Sequence, residues 1–210
     1  MWRLSAAVAL LALAGVLPAA ENGLLFHAAF DGSAEAFSLA GQGRPVQVEG
    51  PAPAFTPGRF GQALVTGAGQ TLLRYPTTGN VLPRAGTISL WVKPENWTPD
   101  DGNFHSFFEF GNGNDGKGWL IFYKYYQNAW LLLLYADEKQ QVSMATYPLR
   151  DWKPGQWRHL AGTWSDTALR IYVDGELVAT ALNPRLPDVI PDHFTLGDNG
   201  WHLPHEGART

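Results

Sequence analysis

Trp119, Tyr123 and Tyr125 stand at even spacings within residues 119–126. An extended strand there puts their three rings on one face and Lys124 and Tyr126 on the other. Arg170 and Tyr172 share a face further on, opposite Leu169, Ile171 and Val173. Aromatic rings can cover the apolar C–H faces of a sugar, while Asn, Asp, Arg and Lys side chains take its hydroxyls. Brought together on one sheet face and rimmed by Trp97 and Asn112, these residues would form a concave platform for a glycan. The same residues serve equally well to cover the outside of a sandwich, and the sequence leaves both readings open.

Other chemistry finds less support. Glycoside hydrolysis needs two carboxylates ~5–9 Å apart across the scissile bond. A Glu-x-Asp-x-x-Glu strand would supply them. Here Glu109 is followed by Phe110, Gly111 and Asn112, and the neighbours Asp137 and Glu138 point apart. Asp100, Asp101, Asn112, Asn114 and Asp115 form an oxygen-rich set without a distal bidentate Glu, which turn chemistry explains better than calcium. His202, His205 and Glu206 invite a zinc reading, but Pro204 lies between the histidines and argues against the helix that zinc spacing requires. There is no phosphate loop and no dinucleotide fingerprint.

The elements that must position these residues are strands. Of 210 residues, 45% are apolar and only 16% charged, with nine Trp and 23 Gly. That composition excludes a disordered chain, a coiled coil and a long helical bundle. A net charge of −4 argues against nucleic acid as partner. Arg3, the uncharged apolar run 4–17 and Pro18-Ala19-Ala20 read as a signal peptide over residues 1–20, cleaved at Ala19 or Ala20. The chain is therefore expected to be secreted or periplasmic, with no membrane span after cleavage. It has no Cys, so packing must hold it together, helped at most by a metal.

From residue 24 onward about a dozen short runs alternate or carry β-forming residues. Residues 87–93 are the cleanest, with Ile88, Leu90 and Val92 on one face and Ser89, Trp91 and Lys93 on the other. Residues 50–61 read as a loop, 95–103 as a long polar loop, and Asp174-Gly175 as a hairpin turn. The pattern predicts an all-β, antiparallel sandwich or barrel in a single domain.

Five segments in order then resemble the bacterial laminin-G-like, concanavalin A-like lectin-glucanase jelly roll. They are Phe30-Asp31-Gly32; Phe55 with Gly58-Arg59-Phe60-Gly61-Gln62-Ala63-Leu64; residues 87–94; residues 157–164; and residues 169–175. The resemblance implies a two-sheet β-sandwich over residues 21–200, with 201–210 as a tail. It also implies core-filling roles for Trp91, Trp157 and Trp164, and a structural Ca²⁺ near the opening strand, for which Asp31 is the candidate. The family's closing strand has no match after Gly197, so a sheet edge is expected to lie open and to favour self-association. The function expected is a non-catalytic module that recognises a glycan. A protein-binding or adhesion module is the close alternative, and a glycoside hydrolase the third.

Overall fold

The computed structural model describes residues 23–111, 113 and 115–197. The expected signal peptide, the tail, Asn112 and Asn114 lie outside the described residues. Within them the regular elements are strands: β1 (Phe26–His27), β2 (Phe37–Ser38), β3 (Gln47–Glu49), β4 (Phe55–Pro57), β5 (Gln62–Leu64), β6 (Leu72–Pro76), β7 (Gly86–Val92), β8 (His105–Phe110), β9 (Trp119–Lys124), β10 (Trp130–Ala136), β11 (Val142–Pro148), β12 (Arg158–Trp164), β13 (Ala168–Val173), β14 (Glu176–Leu182) and β15 (His193–Leu196). Seven form one sheet in the order β11-β10-β9-β8-β15-β6-β3, four form a second in the order β14-β13-β12-β7, and β1–β2 and β4–β5 are separate hairpins. The pairings are antiparallel.

Alternation explains how the sheets face each other. Leu120 and Phe122 of β9 and Leu131, Leu133 and Tyr135 of β10 point inward. They meet Leu160, Leu169, Ile171 and Val173 from β12 and β13 in one core. Each sheet has one apolar face, and stacking buries both. The sheets approach closely at Gly162, where an added Cβ would stand 3.2 Å from a Leu133 methyl. Large polar-tipped rings tie loops to the core. Tyr135 donates its hydroxyl to the Pro83 carbonyl (2.8 Å), and the Trp164 indole N–H reaches the Leu82 carbonyl (3.0 Å).

This is the expected all-β antiparallel sandwich, with local differences. Residues 50–61 contain β4, whose Pro57 is tolerated because the strand belongs to an isolated two-stranded hairpin. The opening run narrows to the two residues of β1. β9 stops at Lys124, where the Tyr125 N–H donates to the Trp130 carbonyl at 2.7 Å and closes the turn into β10. Among the described residues no helix is long and apolar enough to cross a membrane.

Candidate functional site

On the outer face of the seven-stranded sheet, β9 presents Trp119, Ile121 and Tyr123, opposite Ala136, Leu134 and Leu132 of β10. Ile121, Tyr123 and Leu132 form a second apolar cluster, distinct from the core, with Phe104, Trp119, Tyr125, Trp130 and Leu134 packed on it. Phe104 is its hub: its ring stacks on Tyr123 at 5.7 Å and meets Tyr125 edge-on at 5.5 Å and Tyr126 at 4.7 Å. Tyr123 is only 6% exposed. Burial, and secondarily the neighbouring Tyr125, push its phenol up to about 12. Trp119, Tyr125 and Trp130 remain half-buried, and the Trp119 indole is oriented by its N–H bond to Gln140 Oε1 (2.7 Å).

A polar row runs beside the rings. Glu109 of β8 pairs with Ile121 on one side and Thr195 on the other, and Thr195 pairs with Arg74 of β6. Ser106 Oγ donates to Glu109 Oε2 at 3.2 Å, and Arg74 bridges to Glu49 at 2.6 Å. Ser106, Glu109 and Thr195 are buried, at 3%, 3% and 4% exposure, so the partly exposed polar groups near the rings are Arg74 of this row and Gln140.

Phe104 is held by a buried ionic knot. Lys124 points inward from β9 and is fully buried; its Nζ donates to Asp101 Oδ1 and to the Asn103 carbonyl (2.8 Å). Asp101 Oδ2 also meets His105 Nε2 at 2.9 Å and the Asn103 side-chain amide at 3.0 Å. Burial pushes the Asp101 carboxyl up, but the hydrogen bonds from Lys124, Asn103 and His105 outweigh it and hold the group at about 2. Burial in turn pushes the Lys124 ammonium down, against the pull of Asp101. The knot pins the end of the 95–103 loop to the sheet, one residue from Phe104.

The structure gathers Trp119, Tyr123 and Tyr125 as expected, although Tyr125 lies past the end of its strand. It separates the other platform residues. Trp97 is not a rim residue: at 2% exposure it stacks on His105 (centroids 3.9 Å apart) and joins the core. Arg170 and Tyr172 lie on the outer face of the four-stranded sheet, because Leu169, Ile171 and Val173 of the same strand fill the core from that side. One continuous platform is therefore replaced by two faces on opposite sides of the sandwich. Asn112 lies outside the described residues.

Trp164 is a core filler as expected, but Trp91 is 40% exposed. It forms an outer cluster with Phe60 (5.9 Å, edge-on), His159 (5.2 Å) and the Arg59 guanidinium (5.4 Å). Sequence reasoning missed Phe104, Tyr126 and Trp130 as site residues. The run Tyr123 to Tyr126 with Trp130 was the available signal. Asp31 serves the turn: its Oδ1 accepts the Gln62 N–H at 2.6 Å, against Gly61. Among the described residues no cluster of three or more His, Cys, Asp or Glu surrounds a candidate metal position. A Ca²⁺ held by Asp31 would therefore have to draw its remaining oxygens from loop carbonyls and water.

Residues 66–208 match the family model described as the concanavalin A-like lectin/glucanases superfamily. The chain belongs to that superfamily. Among solved structures it resembles domain 4 of AbnA, a GH43 extracellular arabinanase from Geobacillus stearothermophilus in complex with arabinotriose, at 24% identity and a TM-score of 0.63, covering 89% of each chain. It also resembles the binding domain of botulinum neurotoxin serotype D, at 12% identity and a TM-score of 0.57, covering 73% of this chain and 38% of that one. Both likenesses establish the fold. No curated protein matches the sequence. The chain is a laminin-G-like jelly roll, a fold used both by domains of glycosidases and by binding domains of toxins.

Proposed function

We infer that this member of the superfamily is an exported, non-catalytic module that binds a carbohydrate on the outer face of its seven-stranded sheet. One observation carries the reading: the half-buried rings of Trp119, Tyr125 and Trp130, braced by Phe104 and Tyr123, adjoin the polar row of Ser106, Glu109, Thr195 and Arg74. The rings would take the C–H face of a sugar, and Gln140 and, further along the sheet, Arg74 its hydroxyls. Binding is passive recognition by a surface that is already assembled. The arabinotriose bound to domain 4 of the arabinanase is in keeping with this chemistry and makes arabino-oligosaccharides the first ligands to try. The non-catalytic part rests on the carboxylates of this face: Glu109 is buried and Glu49 is tied to Arg74, whereas glycoside hydrolysis uses a pair placed across the bond. Export rests on residues 1–20.

The test is calorimetric titration with arabinotriose and with β-glucan oligosaccharides. Trp119→Ala and Tyr125→Ala should each weaken binding at least tenfold while still unfolding cooperatively, with native structure at the temperature of the titration. A second reading, recognition of an extracellular protein, is supported by the outer cluster of the four-stranded sheet, where Phe60 is 71% exposed beside Trp91. Loss of partner capture on Phe60→Ala with sugar binding absent would favour that reading. Release of reducing sugar by the purified protein would reinstate the hydrolase.

A further inference from the structure

The sequence holds two Met and no Cys. Met1 lies in the segment read as a signal peptide, so oxidation chemistry at sulfur falls on Met144. That residue belongs to β11, whose Ala145 and Tyr147 turn toward the core. Strand alternation then puts Val142, Met144 and Thr146 on the outer face of the seven-stranded sheet. The register fixes the neighbours: Met144 stands opposite Leu134 of β10, and Leu134 opposite Ile121 of β9. Opposite residues of an antiparallel pair share a face, so these three form one row. Leu134 packs on the cluster of Ile121, Tyr123 and Leu132 that carries the rings. Met144 therefore extends the apolar ring face by one strand, to the end of the sheet.

The position makes this thioether both reachable and consequential. Met144 is 46% exposed and Val142, beside it on the same face, 51%. A molecule as small as a hydroperoxide reaches the sulfur without unfolding the sheet. Oxidation turns a flexible apolar side chain into a polar, chiral sulfoxide. The row from Met144 through Leu134 to Ile121 is apolar, and the polar residue that follows it, Glu109, is buried. A sulfoxide oxygen would thus set a hydrogen-bond acceptor, with its water, on an apolar margin. The inward contacts of β11 are made by Ala145 and Tyr147, so the change falls on the surface and spares the core.

We propose that Met144 is a modification site, oxidised by hydroperoxides to the sulfoxide, and that this oxidation lowers the affinity of the ring face for its ligand. The sulfur attacks one peroxide oxygen, so that an S–O bond forms and the O–O bond breaks. Sulfur is oxidised by two electrons and the peroxide reduced; the departing hydroxide takes up the proton of the transferred oxygen and leaves as water. Methionine sulfoxide reductases reverse the change. The effect on affinity rests on the carbohydrate reading of this face, whereas the site of oxidation rests on exposure and composition.

The experiment treats the purified protein with hydrogen peroxide, locates the added oxygen by peptide mass spectrometry and titrates the product with arabinotriose and β-glucan oligosaccharides. Met144 should gain one oxygen at a rate within about fivefold of methionine in a short peptide, with cooperative unfolding retained. The oxidised protein should bind about threefold more weakly or worse, and reductase treatment should restore binding. Met144→Leu should lose none of its own affinity to peroxide. Met144→Gln, polar without any oxidant, should bind more weakly than Met144→Leu. Oxidation of Met144 only in urea would overturn the site. Equal affinity before and after oxidation, or an equal loss in Met144→Leu, would overturn the effect on binding. If untreated wild type binds neither sugar, the carbohydrate reading fails and the effect on affinity with it, while the peptide map still decides the site.

Discussion

Asp101→Asn should be among the most costly single-atom exchanges in this protein. Lys124 has no exposed surface, and its ammonium is matched by Asp101 and by the Asn103 carbonyl. Removing one member of a buried ion pair costs ~3–5 kcal/mol, because the other charge is left uncompensated. Burial already lowers the Lys124 pKa, so the lysine can shed its proton, and the cost should fall near the lower end, about 3 kcal/mol at pH 7. For a domain of this size that is a drop of ~6–12 °C in thermal midpoint.

The pH dependence gives a second handle. The Asp101 carboxyl is depressed from 3.8 to about 2 in the fold, so its contribution is complete above the unfolded value and lost as pH falls through the folded one. The shift corresponds to roughly 2–3 kcal/mol. Urea unfolding at pH 7, 4 and 2 should therefore show the gap between wild type and Asp101→Asn persisting at pH 4 and shrinking at pH 2. In a double-mutant cycle, Asp101→Asn with Lys124→Met should cost less than the sum of the single variants by more than ~1 kcal/mol. A cost below ~1 kcal/mol for Asp101→Asn, with additive single variants, would refute the picture of a buried knot holding Phe104.

Other variants probe the remaining joints. Gly61→Ala places a Cβ against the Asp31 carboxylate at a φ of +55°, and should lower stability by ~2 kcal/mol in urea unfolding. Gly162→Ala presses on Leu133 across the core and should cost ~1 kcal/mol or more, read in the same assay. Asp174→Ala removes acceptors for the His159 N–H and for Arg158, and should cost about 1 kcal/mol. The thermal midpoint should be the same with calcium and with chelator; a rise with calcium that Asp31→Ala removes would show that the turn recruits further oxygens.

The class of fold was legible because period-two alternation is strong where one face is buried, as at Ile88, Leu90 and Val92 or Leu169, Ile171 and Val173. Alternation says which residues of one strand share a face. It does not say which sheet the strand joins. That is why Trp119 and Tyr123 could be grouped correctly with each other, and wrongly with Arg170 and Tyr172. The neighbours of β8 in its sheet are β9 and the distant β15, and no local pattern announces the second. Trp97 was misplaced for a related reason. A polar loop reads as exposed, and only the folded arrangement of Asp101, Lys124 and His105 draws that loop inward and buries its tryptophan.

The central claim is that the outer face of the seven-stranded sheet binds a carbohydrate. Titration of the purified protein with arabinotriose, read by tryptophan fluorescence and calorimetry beside Trp119→Ala, tests it most directly. The account predicts saturable binding to wild type, weakened at least tenfold in Trp119→Ala at a temperature where that variant is still folded. Binding of equal strength in wild type and Trp119→Ala, Tyr125→Ala and Trp130→Ala alike would place any sugar site elsewhere and contradict it.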